Sequence, residues 1–396
     1  MTGQIISLDM YMTAGVGVVA LLLGLLFTRR IPFLKRFCIP APVSGGLVIS
    51  LLLLVLHSAT GMDFSFDGTV KDIIMMLFFT SVGFQSNLRV LKQGGKPLLI
   101  MVGLVTLLIV LQNLLSVGMA KCMQLDPLVG MAAGSIPMSG GHGTAGGFAP
   151  ILSSLGLQGA DSITLAAATF GLVAGSLVGG PLGESLIRRH SLSEESAQED
   201  TFKSIEPAAL EGRKEKAFLT GACQLVLAMA LGMGLSKLLA LTGITFPTYF
   251  GALLTGALMR NLFGTGKTIC EEEIVSIGNI CLSLFLGMAM STLKLWELSG
   301  LMLPLLAILV AQTAMIVLFG AFVAFPALGR DYDAAVLVSG ICGFGLGATP
   351  NAMANMSAVC YKYHYAVRPF VIVPIIGAMF VDLINTGVIT LFLNLL

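Results

Sequence analysis

The sequence predicts an all-α integral membrane protein: ten transmembrane helices in two inverted-topology repeats of five, each repeat with a glycine-rich re-entrant hairpin. Three observations predict it. The 396 residues are 56% hydrophobic and 11% charged, with a mean hydropathy of +0.93, whereas a soluble chain carries roughly a quarter charged residues. Apolar stretches near the ~20 residues that cross a bilayer recur along the chain. Two further apolar stretches are broken at their middles by Gly, Pro, Ser and Thr, at corresponding places in the two halves.

The expected spans lie near 10–28, 38–57, 70–88, 97–119, 162–187, 217–242, 247–262, 274–293, 301–325 and 369–392. The first lacks a basic leader and a small-residue cleavage site, so it reads as a retained helix. Lys and Arg in short loops stay cytoplasmic. Arg29, Arg30, Lys35 and Arg36 follow the first span, Arg89, Lys92 and Lys96 the third, and Arg188 and Arg189 the fifth. Arg260 and Lys267 follow the seventh span and Arg330 the ninth. Both termini are therefore expected outside and the middle of the chain inside.

Residues 190–216 turn abruptly to Ser, Glu, Gln, Lys and Arg, and read as a cytoplasmic linker. The expected domains are a first membrane repeat over 1–189, the linker, and a second repeat over 217–396. Five spans per half force the second half to enter from the opposite face. The halves also match at an offset of about 205 residues: Pro40 and Gly45 with Pro247 and Gly251, and Phe79–Ser86 with Phe285–Thr292. Inverted repeats of this kind recur in secondary transporters.

The broken segments run over about 127–157 and 334–365. Irregular backbone at membrane depth is tolerated only inside protein or beside a wet cavity. Glycine permits tight turns and close approach of backbone to ligand. Half-helix N-termini offer free N–H groups and a positive dipole end to an anion. Exposed carbonyls and hydroxyls suit a hard cation such as sodium. Inverted repeats bring such tips together near the midplane. Ser139, Gly140, Gly141, Gly143 and Thr144 of the first tip, with Gly345, Gly347, Thr349 and Asn351 of the second, are thus the expected substrate site. The competing reading is that small residues only permit close helix packing. Two breaks at equivalent positions weigh against it.

At these motifs the sequence resembles the glutamate:sodium symporter family of bacteria. The likeness covers essentially the whole chain and rests on Pro-Ala-Pro-Val-Ser-Gly-Gly at 40–46, Ser-Gly-Gly-His-Gly-Thr at 139–144 and Gly-Leu-Gly-Ala-Thr-Pro at 345–350. The resemblance implies two homologous domains of five spans with a re-entrant loop each. It also implies uptake of L-glutamate across the bacterial inner membrane driven by sodium as the co-transported ion. Relation to a broader group of inverted-repeat carriers implies a homodimer working by elevator-like movement. Sodium- or proton-coupled transport of another carboxylate, such as a dicarboxylate or citrate, stands as the alternative.

Charged and polar residues at depth come next. Asp382 lies midway along the last span, and an ionisable residue there is a functional hypothesis by default. It suits either the substrate ammonium or a sodium ion, with Asn385 one face-step away. Arg368 precedes Pro369 and is either a bidentate clamp for a carboxylate or an ordinary cytoplasmic charge. The tentative sodium set is Ser86, Thr144, Thr349, Asp382 and Asn385. Gln112, Asn113 and Gln312 read as interhelical hydrogen-bonding residues, His142 and His364 as structural, and Glu184 as an i,i+4 partner of Arg188.

Other function classes fit poorly. The seven cysteines include no CxxC pair, which argues against a disulfide framework or zinc site. Phe263–Thr268 lacks the Walker spacing of an ATP-driven pump. A channel needs a continuous polar pore, and the spans offer few polar faces. An intramembrane enzyme needs a nucleophile with its base, and Asp382 has no acidic partner in sequence. The net charge of +1 sits in loops and names no partner beyond the lipid bilayer; nucleic acid is not expected. The second and seventh spans, poor in polar residues, are the expected static scaffold.

Overall fold

The computed structural model describes residues 5–87, 95–192, 211–242, 246–263, 269–298 and 300–396. Arg89, Lys92, most of the polar linker and Lys267 lie outside the described residues.

In the first half, strand β1 (Ile5–Leu8) leads into α1 (Met10–Arg30), a short α2 (Pro32–Arg36), α3 (Ala41–Thr60), strand β2 (Asp63–Phe66), α4 (Thr69–Gln85) and α5 (Gly95–Cys122). The first broken segment follows as α6 (Pro127–Ala132), α7 (Ser135–Met138) and α8 (Gly141–Ser154), before α9 (Ala160–Arg189). The second half holds α10 (Glu211–Ala240), α11 (Phe250–Phe263), α12 (Glu271–Ser291) and α13 (Met302–Ala327). It continues with the second broken segment, α14 (Tyr332–Leu346) and α15 (Thr349–Lys362), and ends in α16 (Val367–Ile375), a π turn over Ile376–Phe380 and α17 (Val381–Leu395).

Sequence chemistry sets these boundaries. Asp9 caps α1 by accepting from Met12 N–H at 2.8 Å, and Asp331 caps α14 through Ala334 N–H at 2.7 Å. Asp126 caps α6, whose first position is Pro127, a residue that has no N–H to leave unpaired. Gly61, at φ 69°, ends α3 in the left-handed conformation that a C-terminal glycine supplies.

Seven of the described helices, α1, α3, α5, α9, α10, α12 and α13, are long and apolar enough to cross a membrane. The other three expected spans fall on shorter pieces: α4 has 17 residues, α11 has 14, and the last run is divided by its π turn. Exposed side chains such as Val55 (65%) and Leu303 (79%) give the outer surface the apolar character that lipid requires.

One feature has no counterpart in the sequence pattern. β1 and β2 pair in parallel, Ile5 opposite Asp63 through Leu8 opposite Phe66, so α1 and α4 start from the same face. The His57 ring stacks on Trp296 at 4.1 Å, bringing the end of α3 and the turn after α12 to one level. Glu184 pairs with Lys362 at 2.6 Å instead of Arg188, because α15 brings the lysine against α9.

Packing separates the helices into two bodies. The first comprises α1, α3, α4, α10, α11 and α12; the second comprises α5–α9 and α13–α17. Each body draws helices from both halves, and the contacts within the first are reciprocal. In the first body α1 packs on α3 and α12 while α10 packs on α11 and α4; α4 meets α11 as α12 meets α3. The crossings themselves match. A Cβ on Gly45 would stand 1.8 Å from the Ala20 carbonyl oxygen, and one on Gly251 would stand 2.3 Å from that of Gly232. Neither crossing tolerates a side chain there.

Candidate functional site

The site forms where the two broken segments end. In the first, the chain leaves the helix at Ala133 and Gly134, makes the single turn of α7, and re-enters a helix at Gly141 with φ +58°. In the second, Gly347 (φ −156°, ψ −90°) leaves the helix and Ala348 is extended between α14 and α15. The tips touch: a Cβ on Gly141 would lie 2.8 Å from the Gly347 carbonyl oxygen, so any larger residue would force the hairpins apart.

A cavity of about 220 Å³ opens at this junction. It is lined by Ser139–Thr144 of one tip, Gly347–Asn351 of the other, Asp382, and apolar side chains that include Phe78 and Leu286 from the first body. That volume suits a small metabolite, below the roughly 300 Å³ at which sites for drug-sized ligands begin. Gly140 and Ala348, the residues that precede α8 and α15, give no side-chain cap. Two helix N-termini therefore bring positive dipole ends to one cavity, as an anion requires; in α15, Pro350 has no N–H and that of Asn351 donates to the Ala348 carbonyl at 3.0 Å.

Asp382 supplies the opposite charge. Thr144 Oγ1 donates to its Oδ1 at 3.4 Å, and among the described residues no Lys or Arg pairs with it. The π turn just before it seats Gly377 against Thr349, where a Cβ would meet the hydroxyl at 2.2 Å. Single π turns inside helices often mark functional sites.

Buried amides hold the frame. Gln112 on α5 accepts from Ser139 Oγ at 2.6 Å and donates to the Gly345 carbonyl at 2.6 Å, tying one hairpin to the other. Gln312 on α13 donates in turn to the Gln112 carbonyl at 2.7 Å. Asn385 Nδ2 donates to the Ser135 carbonyl at 3.0 Å, and Asn351 Nδ2 to that of Leu172 at 2.7 Å.

This geometry can be set beside known proteins. The sodium/glutamate symporter profile matches residues 6–365. The sodium/glutamate symporter of Escherichia coli K12 is 40% identical, with 98% of each chain covered, and that of Haemophilus influenzae is 37% identical, with 96% covered. The chain belongs to the sodium/glutamate symporter family. Members of that family are transporters and not enzymes. Among solved structures, the sodium proton antiporter MjNhaP1 of Methanocaldococcus jannaschii covers 96% of this chain and 93% of its own, at 16% identity and a TM-score of 0.44. A likeness at that level carries no weight for fold or function.

Most of the residues expected from the sequence for the substrate site are brought together. Ser139, Gly140, Gly141, Gly143, Thr144, Gly347, Thr349, Asn351 and Asp382 all line the cavity. Gly345 stands behind it, its carbonyl held by Gln112, and Asn385 faces the break in the first hairpin. Two residues do not join them. Arg368 is exposed and lines a separate cleft with Asp331, Asp333 and Lys96. Ser86 ends α4 in the first body, its carbonyl accepting from Asn261 at 2.7 Å. His142, 6% exposed, lies 3.1 Å from Thr169 Oγ1.

Sequence reading missed Phe78, Leu286 and Tyr249. Phe78 and Leu286 line the cavity from the first body, and Tyr249 stacks on Phe79 at 3.7 Å beside it. Their only sequence signal was an ordinary apolar position, because their role depends on the contact between bodies.

Proposed function

We propose that this chain is a secondary transporter that takes up L-glutamate across the bacterial inner membrane as sodium moves inward with it. The single observation that carries the reading is the cavity at the hairpin tips. Two uncapped helix N-termini match the two carboxylates of a dicarboxylic amino acid, and Asp382 matches accompanying positive charge, whether sodium or the substrate ammonium. Family membership supports both the cargo and the ion.

The architecture proposed from sequence has support of its own. The reciprocal packing of matched helices argues for two inverted repeats, 1–189 and 217–396, joined by a cytoplasmic linker. The common starting face of α1 and α4, and the salt bridge between the ends of α9 and α15, fit alternation with both termini periplasmic. The segments at about 127–157 and 334–365 then enter and leave on one face each, which makes them re-entrant and brings the span count to ten. The division into two bodies suits an elevator, in which the hairpin-bearing body moves and the body with α3 and α11 stays fixed, held by a homodimer contact.

Radiolabelled L-glutamate uptake into proteoliposomes tests the reading, with an inward sodium gradient against a choline control. Accumulation above equilibrium only with sodium is the expected result. Absence of accumulation in both, from folded protein, would remove the glutamate assignment. Competition by unlabelled dicarboxylates and citrate would then identify another cargo, and an imposed proton gradient another driving ion.

A further inference from the structure

We propose that the cleft at the start of α14 and α16 is a binding site for a zwitterionic aminophospholipid, with Arg368 and Lys96 holding its phosphate and Asp333 its ammonium. The proposal depends on neither the cargo nor the driving ion, because this cleft lies apart from the tip cavity.

The cleft repeats one plan on α5, α14 and α16. Each helix places a charged residue in its first turn and an apolar one four positions on, which is one turn along the same face. The pairs are Lys96 with Ile100, Asp333 with Leu337 and Arg368 with Ile372, and all of these residues line the cleft. Leu328, just past the end of α13, completes the floor. The result is a space of about 120 Å³, charged at one level and apolar at the next. A lone water needs only about 15 Å³, so a polar group of several atoms has room.

Its place is the edge of the bilayer. Two helices long and apolar enough to cross a membrane meet there, α5 at its start and α13 at its end. Leu99 and Val371, next to Ile100 and Ile372, are exposed and carry the apolar surface on toward lipid. Tyr361 and Tyr365, exposed in the stretch that leads into α16, are the kind of side chain that gathers at headgroup level.

Charge selects the headgroup. Lys96, Arg368, Asp331 and Asp333 share the cleft, yet no two of them form an ion pair among the described residues. Asp331 is engaged elsewhere, its Oδ1 accepting from Ala334 N–H at 2.7 Å, which leaves the Asp333 carboxylate to a ligand. A ligand that carries both signs bridges the gap these side chains leave. Arg and Lys suit a phosphate. Helix α16 adds its positive dipole end, since Ala366 before it gives no side-chain cap. A primary ammonium donates N–H bonds to a carboxylate. A trimethylated ammonium has none to donate, and an anionic headgroup without nitrogen meets the carboxylates as like charge. The acyl chains then follow the apolar level, and the lipid braces the helices at the root of the second hairpin.

The test titrates the purified full-length chain in detergent with dioleoyl phosphatidylethanolamine, with the phosphatidylcholine and phosphatidylglycerol of the same chains, and with water-soluble phosphoethanolamine. Native mass spectrometry reads binding, and thermal melts read the stabilisation that binding confers. Phosphatidylethanolamine should bind about tenfold tighter than either other lipid, the worth of one charge-assisted hydrogen bond. Phosphoethanolamine, which lacks the acyl chains, should bind roughly tenfold or more weaker than the lipid. Asp333→Asn should erase the preference for phosphatidylethanolamine over phosphatidylcholine. Arg368→Gln should weaken all three lipids about tenfold and keep their order. Melting without lipid is the control for folding, and if a variant fails it the wild-type ranking decides alone. Equal binding of phosphatidylethanolamine and phosphatidylcholine by the wild type, or a preference kept by Asp333→Asn, would overturn the proposal. So would tighter phosphatidylglycerol, the mark of a plain basic patch, or phosphoethanolamine binding as tightly as the lipid, the mark of a soluble ligand. None of these readouts needs transport, so failure of the symport reading would leave them unchanged.

Discussion

Helix α8 of the first hairpin is buried from Gly141 to Ala149, whereas α15 of the second leaves Pro350, Ala354, Ser357, Ala358 and Tyr361 exposed. Both hairpins present a helix N-terminus to the same cavity, so the difference lies in what covers their backs. Helix α8 is held between α9 and the first body. A Cβ on Gly146 would meet the Phe285 ring at 2.2 Å, and one on Gly147 the Tyr249 ring at 2.5 Å. Helix α15 packs chiefly on its own body, against α14, α9 and α16. Its uncovered face carries small residues, with Tyr361 at its end, unlike the leucine-rich faces that α1 and α13 turn outward. The two hairpins thus stand in different situations, one clamped between bodies and one free on its outer side. In the transport cycle proposed above, that asymmetry is what a single state of alternating access would look like.

The largest effect should come from filling the clamped side. Gly146→Leu would drive a side chain into Phe285, at an overpacking cost of about 1–3 kcal/mol, and should abolish uptake while lowering the melting temperature. Ala354→Leu, at the free face, should leave stability within about 0.5 kcal/mol. Its uptake should still fall roughly tenfold if that face must close against the first body during transport. Normal uptake by Ala354→Leu would break the comparison, since the free face would then have no part in the cycle. A smaller effect is expected in labelling. In a cysteine-free background, Ala358→Cys should react with a membrane-impermeant maleimide roughly tenfold faster than Ala145→Cys, because only the former lies on an uncovered face. Equal rates would show that α15 is covered. The smallest effect belongs to the exposed pair of Lys362 with Glu184, 2.6 Å apart. Lys362→Ala should change stability by no more than about 0.5 kcal/mol, as exposed ion pairs generally do, and a loss above 1 kcal/mol by denaturant titration would make the pair a latch.

Much of this was legible in the sequence, for physical reasons. A membrane-spanning helix must be apolar over its whole length, so seven helices announce themselves by composition. The tips were legible because Gly134, Gly141 and Gly347 interrupt stretches that are otherwise apolar enough to continue as helix. Asp382 was legible because charge at depth is rare. Arg368 was harder to read: a charge at a helix start has many uses, and the fold sets this one beside Asp331 and Asp333, remote from it in sequence and apart from the tip cavity. The β1–β2 pairing joins two four-residue strands across the length of α1 and α3, and nothing local marks it. Tyr249 and Phe78 were invisible because a side chain that bridges two bodies carries no periodic signature of the bridge.

Glutamate uptake into proteoliposomes by Asp382→Asn and Arg368→Ala, beside the wild type under one sodium gradient, tests the placement of the site most directly. The hairpin-tip site predicts that Asp382→Asn loses accumulation more than tenfold while Arg368→Ala stays within roughly threefold of the wild type. Sustained accumulation by Asp382→Asn with its loss in Arg368→Ala would contradict it, and would move the site to the cleft beside Asp331 and Asp333.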